Sequence, residues 1–488
     1  MFRRLAAAFP RDPDYPARAH DLAVLKAVLD GTIYDVLPHD FDEEYNNADG
    51  YIPLRKRAPS VRCNLCRTVV EDSVALLFGE RHFPAVECGD DATRAGLEAL
   101  IREAGLNAVM MDGATRGSVG SIAFRIRILN RRLFVDAMET MFLTPTWDSD
   151  APDQLLRVVE RYKVQGSELR ARGYVVADDE LGMSFWFQRE WNSAAEIWYN
   201  PSLVASEVPP SRVDVVRTVH HELGFVPIVW VRNLPGGDDI DGASTFRHGI
   251  EDAIAIDYQM SQAGRGLAYS SDPTFVVKEP AGDGGQFIRS ASNALIVSKD
   301  GDAKVLEISG TASGAVIEYC RAIREMALEV MHGNRADPQR FSGAQSGRAI
   351  EWLNQGLISL ADKLRISYGE GGLLSLLRLI IRASAKYPIA IGHRTVTLTD
   401  CDVSLRWPPW YSPTWQDRQA QATSLQTMVN AGILSMATGT ALVAHTYDLP
   451  DVPAERGRVA AELLMQKERW AVLQTPPGAN AVADAPPR

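Results

Sequence analysis

Apolar positions along the chain follow two periods, and the change between them divides the sequence. Within Cys63–Phe78, Leu65, Val69, Leu76 and Leu77 recur at helical spacing, and Gly79 stands where a helix would end. Ala17–Gly31 and Ala92–Gly105 carry the same signal. Gly113–Gly120 reads as a glycine-rich turn. A period of two then takes over. Ile122, Phe124, Ile126 and Ile128 alternate with Ala123, Arg125 and Arg127, which predicts strands over Ser121–Val135. Short apolar runs continue the pattern at Tyr174–Val176, Met183–Phe187, Ile197–Tyr199, Val213–Val219 and Val226–Val231. The N-terminal half is therefore expected to be α+β, with antiparallel hairpins.

The second half changes character. Ser244 can cap a long helix running to about Tyr269, with Phe246, Ile250, Ala253, Ile254, Met260 and Leu267 on one stripe. A compact β segment follows over Thr274–Ile308. A second long helix, Ala312–His332, repeats the stripe at Val316, Cys320, Ile323, Ala327 and Val330, close to a strict heptad. This order predicts a β module at the tip of an antiparallel helix pair. Gly333–Gln345 is a polar loop. Ser346 can cap the next helix, which is expected to kink at Gly369, Gly371 and Gly372 and to end at Pro388. Thr395–Trp407 is strand-like. Trp415–Asn430, Thr438–His445 and Pro453–Trp470 read as helices, and the Ala/Pro-rich stretch Pro476–Arg488 reads as disordered.

Composition narrows the class. A chain of 488 residues that is 46% hydrophobic and 23% charged has the balance of a globular protein with a sizeable core. Its 51 Lys+Arg against 62 Asp+Glu give a net charge of −11, and the pI is about 5.4. No basic run is longer than Arg55-Lys56-Arg57, which argues against a conventional DNA-binding domain. A protein that DNA slides past without sticking is still allowed. Five cysteines point to a reducing compartment. The apolar stretch before Pro10 is too short for a signal-peptide core, and no window approaches the ~20 apolar residues of a membrane span.

Candidate chemistry is sparse. Cys63-Asn64-Leu65-Cys66 is a lone CxxC, readable as a redox pair or as two small residues on a core helix. His220-His221-Glu222-Leu223-Gly224 lacks the second histidine, four residues after the first, that a zinc helix needs. The glycine runs at 113–120 and 282–285 lack the Lys-Ser/Thr of a phosphate loop. Asp238, Asp239 and Asp241 read as a solvated acidic loop, with cation binding the lesser reading. No catalytic set, metal site or cofactor motif emerges. The enzyme alternative is a cytoplasmic thiol-dependent activity using Cys63 and Cys66. A further alternative is an oligomeric interaction protein that shares only the helix–β–helix layout.

Four stretches carry a specific resemblance. They are Cys63–Gly79; His221–Phe246, where Gly224-Phe225-Val226-Pro227-Ile228-Val229 leads to Gly242-Ala243-Ser244; Ser342–Leu364; and Leu405-Arg406-Trp407 to Leu434-Ser435. In order and spacing this resembles the portal proteins of tailed bacteriophages, in the family typified by the portal of Bacillus phage SPP1. The resemblance covers about residues 20–460; the β module at 274–308 and the tail after 470 match nothing in it.

The resemblance implies a non-enzymatic ring of about twelve subunits at one capsid vertex of the virion, assembled in the host cytoplasm. Double-stranded DNA would enter and leave through that ring without sequence recognition. Residues 1–243 and 346–414 would form the α+β wing with the kinked long helix. Residues 244–269 and 312–332 would be the stem, 270–311 the clip, 333–345 the tunnel loop and 415–475 a helical crown, with 476–488 a disordered tail. The stem would pack through Phe246, Ile250, Ile254, Met260, Val316, Ile323, Ala327 and Val330. The clip would offer Phe275, Val277, Lys278, Glu279, Phe287, Arg289 and Lys299 to the terminase large subunit and then to a head-completion or adaptor protein. The tunnel loop would present Asn334, Arg335, Asp337, Gln339, Arg340, Ser342 and Gln345 to passing DNA. Major capsid and scaffolding proteins would be further partners, with no membrane and no cofactor. The residues fit these roles by themselves. A ring needs apolar stripes for neighbours, and an acidic channel lowers friction on a polyanion.

Overall fold

The computed structural model describes residues 1–43, 52–206, 208–271, 274–280, 297–306, 311–333, 351–352, 354–392, 394–396, 398–399, 402–411, 415–444 and 452–474. It is a mixture of helix and sheet, 51% and 20%. The chain divides into two units: Met1–Arg335 with Asn354–Trp410, and Ala336–Leu353 with Tyr411–Arg488.

The first unit opens with α1 (Phe2–Ala8) and α2 (Ala17–Asp30). Gly31, at φ 75°, ends α2 in the left-handed conformation that glycine adopts without strain. A short parallel pair, β1 (His39–Asp40) and β2 (Arg57–Ala58), precedes α3 (Leu65–Phe78). The Asn64 side chain accepts the Arg67 N–H, so α3 starts two residues later than its pattern predicts. Then come β3 (Ala85–Cys88), α4 (Asp91–Glu103) and α5 (Leu106–Gly117). Most of the predicted glycine-rich turn at 113–120 is thus helix. Its glycines serve close approach: a Cβ on Gly113 would lie 2.4 Å from the Phe124 ring, and one on Gly117 would lie 2.4 Å from the Tyr368 hydroxyl.

Strands β4 (Ser121–Leu129), β5 (Arg132–Glu139), β6 (Leu143–Trp147) and β7 (Leu155–Gln165) follow, then α6 (Gly166–Ala171). After α6 come β8 (Ser184–Trp191), β9 (Ala195–Trp198), β10 (Ser202–Leu203), β11 (Val219–His220) and β12 (Ile228–Arg232). β4 lies between β12 and β5, antiparallel to both. This three-stranded sheet is covered on both faces. Ile122, Phe124 and Ile126 enter the main core, while Ala123 joins Leu143, Val158, Trp191, Val226 and Ile228 in a second cluster. A larger antiparallel sheet runs β11-β9-β8-β7-β6, with β10 also on β8. Its longest strand, β7, and its neighbour β6 carry no clear alternation and are not among the predicted strands. Conversely, Tyr174–Val176 is irregular, and Val213–Val219 contributes only β11. Val215 and Val216 stand exposed there.

The chain then forms α7 (Ile250–Ser271), the antiparallel pair β13 (Thr274–Pro280) and β14 (Val297–Leu306), and α8 (Thr311–Val330). Beyond these, α9 (Gln355–Leu364), a π-helical stretch (Arg365–Leu374) and α10 (Ser375–Lys386) form one continuous run. The predicted interruption at Gly369, Gly371 and Gly372 is therefore π-helical winding within one helix. Gly369 admits the Trp407 ring, which a Cβ would meet at 2.4 Å. Short strands β15 (Ile389–Ile391), β16 (Arg394–Val396) and β17 (Val403–Arg406) complete the unit, with β17 antiparallel to β3.

In the second unit the described residues form α11 (Trp415–Asn430), α12 (Met436–Ala444) and α13 (Val452–Gln474). Over positions 415, 417–443 and 452–466, Gly439 is the one buried residue.

Candidate functional site at the helix–hairpin–helix arm

The arm is built on contacts between α7 and α8, which pack along each other. They run antiparallel: a Cβ on Gly249, just before α7, would meet Met331, just after α8, at 2.3 Å from its sulfur. Phe246, Ile250 and Ile254 are buried on one side, and Ile323 and Ala327 on the other. Met260 and Val316 are partly buried. The stripe departs from the predicted one at its end. Val330 is 51% exposed, whereas Met331 is 2% exposed and closes the contact. Val316, Ile323 and Val330 are spaced by sevens, and a straight helix drifts off such a repeat by ~20° per heptad. Leu267, predicted on the inner stripe, is also exposed.

Ser244 does not start the helix. Backbone 243–246 is tied to the neighbouring sheet instead. Thr245 N–H donates to Ser118 O at 3.0 Å. The Asn233 amide donates to Ala243 O (2.8 Å) and Thr245 Oγ1 (2.9 Å). A 3-10 turn over Arg247–Gly249 then leads into α7 at Ile250. Asn233 is fully buried, and its Oδ1 accepts the Tyr368 hydroxyl at 3.0 Å, so the π-helical stretch and the start of the arm share one hub.

The acidic loop is not solvated throughout. Asp241 is buried and receives Arg18, with Nη2 to Oδ1 at 2.8 Å, together with the Ser121 hydroxyl. Arg18 Nη1 also donates to Thr140 O and Leu143 O. Asp238 accepts the Ile240 and Asp241 N–H groups, which hold its carboxyl below the usual range.

A second buried carboxylate anchors α7. Tyr34 Oη donates to Asp257 Oδ2 and the Cys63 N–H to Oδ1, each at 2.8 Å. One turn on, Ser261 Oγ donates to Asp257 O and accepts the Val61 N–H. Burial raises the Asp257 carboxyl, and these hydrogen bonds only partly oppose it. Burial and the Asp257 charge push Tyr258 up to about 12.

That environment bears on the CxxC. Cys66 is buried, and burial, with the Asp257 charge, pushes its thiol up to about 12. Cys63 is raised for the same two reasons. A reactive thiolate needs the opposite field. Cys63, Cys66 and Cys320 are free, whereas Cys88 is disulfide-bonded, so the cysteine count alone does not set a reducing compartment. His221 is lowered by burial, and its Nδ1 accepts the Leu223 N–H at 3.2 Å. Among the described residues no group of three or more His, Cys, Asp and Glu side chains could hold a metal ion, and no helix is long and apolar enough to cross a membrane.

Of the residues predicted for a clip, Phe275, Val277, Lys278 and Glu279 lie on β13 and Lys299 on β14. Phe275 pairs with Val305, Val277 with Ala303 and Lys278 with Asp302; the register breaks between Lys278 and Pro280. Phe287 and Arg289 lie outside the described residues, as do all seven tunnel-loop residues, Asn334, Arg335, Asp337, Gln339, Arg340, Ser342 and Gln345.

Two features near the arm escaped the sequence reading. Arg18 and Asp241 meet across more than two hundred positions. Arg365, at the start of the π-helical stretch, stacks 3.2 Å from the Trp410 ring centre and 4.7 Å from that of Trp407. The paired tryptophans of Trp407-Pro408-Pro409-Trp410 were the available signal.

Compared with known proteins, the chain matches no family model and no curated protein.

Proposed function

We propose that the chain is a portal-type ring subunit of a tailed bacteriophage, non-enzymatic and located at a capsid vertex of the virion. The observation that carries this reading is the surface left over on the arm. Helix α8 buries one apolar row and leaves a second, Tyr319, Met326 and Val330, more than half exposed. Soluble monomers rarely expose such rows, whereas ring subunits need them for neighbours. The α7–hairpin–α8 order supports a stem with a clip at its tip, and the coreless second unit supports a crown completed by assembly. The net charge of −11 suits a channel that DNA passes without being held.

In this reading β13 and β14 dock the terminase large subunit and later a head-completion or adaptor protein. Residues 333–345 touch double-stranded DNA without reading its sequence, and the outer wing meets capsid and scaffolding proteins. Deleting Thr274–Ile308 in the full-length protein tests it. Motor docking should be lost while the first unit keeps its cooperative unfolding; unimpaired docking of the terminase overturns the assignment. Cys63→Ala/Cys66→Ala should assemble and package normally, and a block in assembly or packaging would return attention to thiol chemistry.

A further inference from the structure

Helix α8 presents more surface chemistry than its contact with α7 uses. Successive helical residues are about 100° apart. Cys320, Ile323 and Ala327 share the buried face. Tyr319, Met326 and Val330, at 56%, 55% and 51% exposure, form a row roughly a quarter-turn away. Roughly opposite that row stand Arg321 and Arg324, both exposed. Glu318, Glu325 and Glu329, also exposed, face away from the core, roughly a quarter-turn from both the apolar row and the arginines. Glu318 and Arg321 are three apart, and Arg321 and Glu325 four apart, spacings at which ion pairs form within a helix. Even so, none of these five charges forms an ion pair with a described residue, although the Arg324 charge also acts on Cys63 of its own chain.

A closed ring needs two unlike patches on each subunit, one for the copy on either side. Resting on the ring reading above, we infer that α8 supplies both halves of the seam between copies. Tyr319 and Met326, flanked by Glu318 and Glu325, pack against Arg321 and Arg324 of the next copy. The chemistry is complementary. Arginine stems cover apolar surface, a guanidinium sits well over a tyrosine ring, and the two charge signs pair. An antiparallel two-fold contact through the same row would instead bring the two glutamate rows to the same side. The occupant is therefore a second copy related by rotation about the ring axis.

Charge reversal tests this in the full-length protein. The variants are Glu318→Arg/Glu325→Arg and Arg321→Glu/Arg324→Glu. All four positions are exposed, so each variant should keep the wild-type circular dichroism and unfolding midpoint. Under conditions in which the wild type forms rings by native mass and particle images, each variant alone should lose them. An equimolar mixture should recover rings with the two variants alternating. Rings from either variant alone would overturn the seam and leave the ring reading standing, as would a mixture that fails to recover them. A wild type that forms only monomers or two-fold dimers, even with its capsid and scaffolding proteins, would overturn the ring reading and the seam with it.

Discussion

The two units use helices in opposite ways. In the first, α3, α7, α9 and α10 each bury an apolar face in one continuous core that holds Phe78, Phe124, Phe246 and Tyr368. In the second, α11, α12 and α13 bury no side chain at positions 415, 417–443 and 452–466, and Trp415, Ile433, Leu464 and Met465 are all more than 60% exposed. Most helical stability in proteins comes from packing an apolar face, because ordering each residue costs backbone entropy that packing must offset. The first unit therefore has the means to fold by itself. The second exposes apolar surface that its own helices do not cover.

The largest effect that sharpens this contrast is Phe246→Ala. It empties a fully buried site where the arm joins the core and should cost about 3–5 kcal/mol, read from urea unfolding. Next is Asp241→Ala, which leaves the partly buried Arg18 guanidinium without its carboxylate. It should cost about 3 kcal/mol by the same measurement. Tyr34→Phe removes one donor from buried Asp257 and should cost about 1–2 kcal/mol at neutral pH.

A pH series isolates the Asp257 term. Its folded carboxyl holds a proton more tightly than in the unfolded chain, whose reference value is 3.8. The stability it contributes is complete below that value and is lost as pH rises through the folded one. Asp257→Asn should remove that downward slope from the unfolding midpoints above pH 4. A slope identical to the wild type would assign the pH dependence elsewhere. The smallest effect belongs to the second unit. Leu464→Ala in the unassembled chain should change stability by less than about 0.5 kcal/mol, and a cost near that of Phe246→Ala would break the comparison.

These contrasts also mark where the sequence could be read. Helices α3, α7 and α8 and strands β4 and β5 follow from period alone, because each sets its larger apolar residues on one side against the main core. Strand β7 does not, because charges interrupt it. Its Glu160 pairs across to Arg189, and its Arg161 lies 4.2 Å from the Trp186 ring centre, contacts that exist only once β8 is alongside. Gly113 and Gly117 imitate a turn because a glycine kept for close packing looks the same in sequence as one kept for bending. The Arg18–Asp241 and Tyr34–Asp257 pairs join distant segments and leave no local pattern. On α8 the apolar positions are legible in the sequence, but only exposure separates the row used inside the chain, Ile323 and Ala327, from the row that stays exposed, Met326 and Val330.

The most direct measurement is the native mass of the purified full-length protein, with particle images from the same sample. A closed ring with a central hole is expected. Twelve copies of 53.7 kDa give roughly 640 kDa, within the closed cyclic symmetry usual for such assemblies. A chain that stays at 53.7 kDa, alone and when mixed with its capsid and scaffolding proteins, would contradict it.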